Sequence, residues 1–124
     1  DTIDILDAKI VNIGIEFEAI AQDGSDKSTV LSEAMDVLAK ELTKLHRDIG
    51  EPFYVTDVYS ILKGVDGLLD VVDVRLTSKS GTSYSEYAIA IRENLSQDGR
   101  YLHIPFDSIL EIKFPYSDIT GAIR

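Results

Sequence analysis

The chain contains no cysteine, which removes disulfide staples, thiolate metal sites and cysteine nucleophiles together. It is also consistent with a reducing compartment. Bases are scarce: 12 Lys and Arg stand against 22 Asp and Glu, for a formal net charge of −10. A protein that grips a nucleic-acid backbone needs phosphate-neutralising side chains, and Arg75, Arg92, Arg100 and Arg124 are scattered rather than gathered into a stripe. No apolar run approaches the ~18–20 residues of a membrane span. The two histidines, His46 and His103, have no local ligand spacing. The chain opens Asp-Thr-Ile-Asp, with neither Met nor a signal-like apolar segment, and is therefore expected to be a piece of a longer polypeptide.

What is present is an ordinary globular composition, 44% apolar with a mean hydropathy near zero, over 124 residues. That length makes one domain, which buries roughly two-thirds of the surface its unfolded chain would expose. Residues 1–8 are acidic and read as a lead-in from the parent chain. Residues 9–114 read as a single α+β domain, and 115–124 as a C-terminal tail.

From Lys9 to Ile20 the sequence alternates strictly. Val11, Ile13, Ile15, Phe17 and Ala19 face one way, and Asn12, Gly14, Glu16 and Glu18 the other. A period of two over this length predicts a half-buried strand with its polar side in water. Asp23-Gly24 marks a turn. A helix is then expected from Asp26 or Lys27 to about Ile49, because Leu31, Ala34, Leu38, Leu42, Leu45 and Ile49 recur at helical spacing. Gly50 and Pro52 stop it. An extended step, Phe53 to Val55, precedes a short helix, Asp57 to Lys63, capped by Thr56 and stopped by Gly64.

Asp66-Gly67 turns the chain into a strand, Leu69 to Thr77, and the Ser-rich stretch 78–85 is a loop. Three more strands are expected, at Tyr87 to Arg92, Tyr101 to Ile104 and Ser108 to Phe114. Gln97-Asp98-Gly99 would make a hairpin of the first two. The order β-α-α-β-β-β-β, with hairpin-connected strands, predicts one mostly antiparallel sheet with both helices on one face.

The usual chemical constellations are missing. Lys79-Ser80-Gly81-Thr82 lacks the second Gly and the Lys-Ser/Thr of a phosphate loop. A calcium loop opening at Asp23 would need Gly and Glu at positions held by Ser28 and Ala34. Asp70 and Asp73, three apart in an extended strand, are expected on opposite faces and so do not converge on a cation. Gly81-Thr82-Ser83-Tyr84-Ser85 is not a nucleophile elbow. No catalytic, cofactor-binding or metal-ligating residue is assigned. Tyrosine is enriched at protein–protein interfaces, offering rigid apolar area with a polar tip. On that ground Tyr84, Tyr87, Tyr101 and Tyr116 are candidate interface residues.

The block from Asp48 to Leu76 carries a resemblance. A helix leads through Gly50-Glu51-Pro52 and Tyr54-Val55 to a short helix with Ile61 and Leu62. Gly64-Val65 and Gly67 then turn the chain into Val71, Val72 and Val74. This order resembles the C-terminal region of the baseplate J-like family of phage proteins, which includes the large baseplate wedge subunit of contractile-tailed myoviruses. The segment Ile104-Pro105-Phe106-Asp107-Ser108-Ile109-Leu110-Glu111-Ile112-Lys113 is also similar to the end of the myovirus wedge subunit. The resemblance spans roughly residues 9–114 in order of elements, and its motif is mostly hydrophobic. The step Asp66-Gly67-Leu68-Leu69 is longer than the J-like pattern and favours the myovirus branch.

The resemblance implies a structural virion component rather than an enzyme, without a cofactor. It would sit in the tail baseplate after assembly in the host cytoplasm. Its partners would be itself (as homodimer or ring neighbour) and other baseplate wedge proteins, with no nucleic acid and no membrane. The alternative is a small-molecule-binding or regulatory α+β domain of a larger protein.

Overall fold

The computed structural model describes residues 7–44 and 48–124. The expected α+β character holds, but the sheet is mixed rather than mostly antiparallel. The alternating segment forms β1 (Lys9–Ala21). The helix that follows, α1 (Lys27–Lys44), is capped by Asp26, whose carboxylate accepts the backbone N–H and the hydroxyl of Thr29 at 3.1 and 2.6 Å. The Asp23-Gly24 turn therefore leads into a helix cap. The buried stripe of α1 is Val30, Ala34, Leu38, Ala39 and Leu42, so Leu31 sits at its margin. Leu45 and His46 lie outside the described residues, and Ile49 is in a turn beyond α1.

Gly50 has a positive φ of 76°, and a side chain there would press on the backbone of Phe106 at 3.2 Å. Its N–H donates to the carbonyl of Ser108 at 2.7 Å, tying this turn to the far end of the chain. A two-residue strand, β2 (Phe53–Tyr54), then gives way to α2 (Val55–Lys63). Thr56 is not the cap as expected. Val55 already belongs to the helix, because its N–H donates to the carbonyl of Arg100 at 2.8 Å and needs no side-chain acceptor. Gly64 ends α2 as expected, and Gly67, at φ 83°, turns into β3 (Leu68–Ser78).

The second half departs further from expectation. Tyr87 to Arg92 is not a strand. Residues 79–90 run irregularly into a single helical turn, α3 (Ile91–Asn94). The turn at 96–100 brings Leu95 against Leu102 in one isolated bridge, but β4 (Tyr101–Leu102) pairs instead with β2. The strand β5 (Ser108–Glu111) stops short of Phe114, and Pro115 opens a helical turn, α4 (Pro115–Asp118). The expected tail is a strand, β6 (Ile119–Ile123).

Strand β1 is central. One edge pairs antiparallel with β3; the other runs parallel to β5 along Lys9–Asn12 and parallel to β6 along 15–19. The chain thus leaves the edge at Glu111, makes the α4 turn opposite Gly14, and returns as β6. Parallel pairing arises here without a long helical crossover between β5 and β6, since both strands run the same way along one edge.

The apolar side chains of β1 form one core with those of α1, α2, β3 and β6. Ile13, Ile15, Leu38, Leu62 and Ile119 are fully buried. Both long helices thus cover the same face of the sheet, as expected. Asn12 and Gly14, expected in water, are buried as well. Residues 79–87 fold over the opposite face of the sheet at this end.

Two tests follow from β6. A Cβ on Gly121 would stand 2.2 Å from the Phe17 ring, so the ring lies directly on this glycine. Gly121→Ala should cost about 1–3 kcal/mol by overpacking, read as a lowered melting temperature. Truncation after Asp118 should abolish cooperative unfolding; an unchanged melt would show that β6 is a dispensable tail.

Candidate functional site

The polar centre of the molecule lies on the sheet face away from the long helices. Asn12, buried to 1% exposure, reaches it because it sits at an even position of β1. Its amide nitrogen donates to Glu111 Oε1 at 2.9 Å, on the neighbouring β5. Its Oδ1 accepts the N–H of Ser85 at 2.8 Å, and its backbone carbonyl accepts the N–H of Lys79 at 3.1 Å. One asparagine thereby fastens both ends of the 79–85 segment to the sheet. A buried amide leaves little free energy to spare unless its donors and acceptors are met, and here both ends are.

A second clamp stands beside it. The Tyr84 hydroxyl donates to Asp118 Oδ1 at 2.7 Å, while the other carboxylate oxygen accepts the N–H of Phe114 at 3.3 Å. Asp118 is itself buried, so these donors replace its lost water. The Tyr84 ring meets Phe114 edge-on, with centroids 5.6 Å apart, and Lys113 donates its ammonium to the carbonyl of Ser83 at 2.5 Å. The Asp118 carboxylate accepting the phenol proton holds the Tyr84 pKa above its usual range, with burial adding to the effect.

These groups satisfy one another, which is the chemistry of a fastening. Asp118 and Glu111 are occupied as acceptors and Lys113 as a donor. Among the described residues, no group of three or more His, Asp or Glu side chains is placed to hold a metal ion. Asp70 and Asp73 prove to share a face, contrary to expectation. They stand opposite Ile20 and Glu18 of β1, and a register shift restores the side that simple alternation would have changed. Asp73 is bound to Arg75 at 2.6 Å. His103 is exposed and stacks edge-on against Tyr101 at 4.9 Å.

The four candidate tyrosines do not form one surface. Tyr84 belongs to the clamp. Tyr87 is exposed nearby, with the Lys9 ammonium 5.2 Å from its ring centre. Tyr101 lies on the small β2–β4 sheet, between Tyr54 and His103. Tyr116, 64% exposed, projects from α4 and hydrogen-bonds Asp36 on α1 at 3.1 Å. Tyr84 and Tyr87 are thus brought together, and the other two stand apart.

Asn12, Asp118 and the exposed apolar residues Leu69, Val72, Phe106 and Phe114 were not among the residues expected to matter. A polar side chain inside a strongly alternating strand was the available signal for Asn12. Asp118 carried none while 115–124 read as a tail. No family model matches the chain, and no curated protein matches it either.

Asn12→Ala should cost about 1–3 kcal/mol, the penalty for leaving the half-buried N–H of Ser85 and the Glu111 carboxylate without their partner, and should speed amide exchange across 79–87. The raised Tyr84 pKa means that the folded state holds the phenol proton more tightly than the unfolded chain. Its stabilisation is whole below the usual phenol range (~10) and fades as pH climbs through the higher folded value. Urea titrations from neutral to strongly alkaline pH should show this loss, and Tyr84→Phe should remove that component.

Proposed function

We propose that this chain is an assembly domain of a phage tail-baseplate wedge subunit. It acts as a structural part of the virion and makes subunit–subunit contacts with a copy of itself or with other wedge proteins. The role is mechanical rather than enzymatic, and the domain functions in the baseplate after assembly in the host cytoplasm.

The observation that carries this reading is the connector between α1 and β3. The resemblance drew on the same stretch, and its special residues have the physical roles such a connector needs. Gly50 takes a positive φ against the backbone of Phe106, and α2 buries Val55, Val58 and Leu62. Gly67, also at positive φ, packs against Val30 where a Cβ would come within 2.9 Å of its side chain. The block is a closely packed connector between a helix and an edge strand. Phe106, beside Gly50, is 80% exposed, and beyond the other end of β5 the exposed Phe114 and Tyr116 flank Pro115. Exposed aromatics of this kind favour contact with other proteins.

A second reading keeps one observation in its favour. A half-open groove of about 370 Å³ lies between α1 and the β5–α4–β6 edge, lined by Ala39, Leu42, Leu110, Ile112, Pro115 and Ile119. Its size is at the lower end for small-molecule sites. A rise in melting temperature with a metabolite panel would favour this regulatory reading.

The assembly reading is tested by light scattering at micromolar concentration, alone and after mixing with the tail proteins encoded beside this reading frame. A stable complex with at least one of them, weakened by Phe106→Ser, is the expected result. A strict monomer that ignores every tail protein would sink the proposal.

A further inference from the structure

Strand β3 has a rhythm of three rather than two. It reads Leu68-Leu69-Asp70, Val71-Val72-Asp73, Val74-Arg75-Leu76. The first residue of each triplet is buried against the helices. The second is exposed in all three, as Leu69 at 64%, Val72 at 40%, and Arg75. The third is acidic in the first two. A flat strand cannot hold such a pattern, because its faces alternate every residue. Two irregularities reconcile it with β1. The ladder passes from Glu18–Asp73 to Ala19–Val71, leaving Val72 unmatched, and from Ile20–Asp70 to Ala21–Leu68, leaving Leu69 unmatched. The two exposed apolar residues are therefore the two inserted ones.

This strand is also an edge. It pairs with β1 on one side, and among the described residues no strand pairs with the other, where one Asp70 carboxylate oxygen accepts the N–H of Val71 at 2.9 Å. Protected edges carry lysine, proline or inward-pointing charge; this one offers leucine and valine. Bulges often re-aim side chains at sites of contact, and both bulges here bring out an apolar residue.

Charge bears on the occupant. Asp66 and Asp70 are exposed beside the apolar pair, and the single base of the strand, Arg75, is already engaged by Asp73 and lies 3.9 Å from Glu16. A second copy laid antiparallel on this edge, centred between Val71 and Val72, would set Asp70 against Asp73 of its mate and Asp73 against Asp70. Like charges directly opposite destabilise a pair of strands.

We propose that the open edge of β3 docks an extended segment of a different protein, one in which lysine or arginine alternates with apolar residues. Leu69 and Val72 are the apolar anchors, and Asp66 and Asp70 select the basic partner. This mode of recognition is strand addition, in which the main chain supplies affinity and alternate side chains supply specificity. The inference rests on the edge and its charges, and stands apart from the virion reading.

The test uses a fluorescent peptide of about twelve residues, enough for a long strand, alternating lysine and valine, with a glutamate–valine peptide as control. The whole chain should bind the first and not the second. Binding should weaken as salt rises from about 0.05 to 0.5 M, and amide exchange should slow at 68–74. The double variant Leu69→Ser/Val72→Ser should bind about tenfold or more weakly, as for loss of interface anchors, with its melting temperature retained because both side chains are exposed. Asp66→Lys/Asp70→Lys should move the preference toward the glutamate peptide. Several outcomes overturn the proposal: no binding, equal binding by the variants, or protection elsewhere on the chain. So does a dimer of the unaltered chain that the serine variant abolishes, which would assign the edge to a second copy.

Discussion

The molecule depends on one strand being paired along both edges. Strand β1 holds β3 on one side and β5 followed by β6 on the other, so its backbone amides and carbonyls are met over most of its length. Its odd-numbered side chains supply the floor on which α1 and α2 lie. Burial of that floor is the main favourable term in folding, roughly 25 cal/mol for each Å² of apolar surface removed from water. β3, β5 and β6 are placed by pairing with β1, while the small β2–β4 sheet forms apart from it.

The same centrality explains why the second face of the sheet is treated unevenly. At the start of β1, Asn12 and Gly14 are covered by the 79–87 segment, and the absence of a side chain at Gly14 leaves room for the Lys79 side chain and the Asp118 carbonyl. Farther along, Glu16 and Glu18 stay accessible and meet Arg75 and Arg124. Pairs exposed to solvent like these add little stability, about 0–1 kcal/mol each. The buried hydrogen bonds of Asn12 and Asp118 matter more, because an unmet polar group there has no water to turn to. The fastening of 79–87 and the return of the chain as β6 are thus coupled through Asp118, which closes α4 and receives Tyr84.

The surface has a different logic. Apolar residues exposed at Leu69, Val72, Phe106, Phe114 and Tyr116 are dispersed around the sheet edges and their connecting turns rather than collected in one cleft. Such a distribution leaves apolar area on more than one side of the molecule. The tyrosines follow suit in being spread over three places, and the half-buried Tyr84 has a structural duty in the clamp.

The sequence by itself determined the elements whose signals are local. The alternation of β1, the helical spacing of α1, the short helix α2 and the glycines at 64 and 67 all produced elements that begin within a few residues of their expected starts, because each pattern buries its own apolar face. Thr56 lost its capping role only because Val55 found an acceptor on Arg100, far along the chain. What tertiary structure decided was pairing. Tyr87 to Arg92 alternates well enough for a strand but pairs with none: β1 is already filled, and the stretch runs into the helical turn α3 instead. Ile119 to Ile123 looks like a tail and becomes a strand because β1 offers it the remaining edge and Phe17 needs Gly121 beneath its ring. Asp70 and Asp73 come to one face through bulges set by β1's register. Strand partners, bulges and the burial of Asn12 and Asp118 depend on residues far apart in sequence, and no local period encodes them.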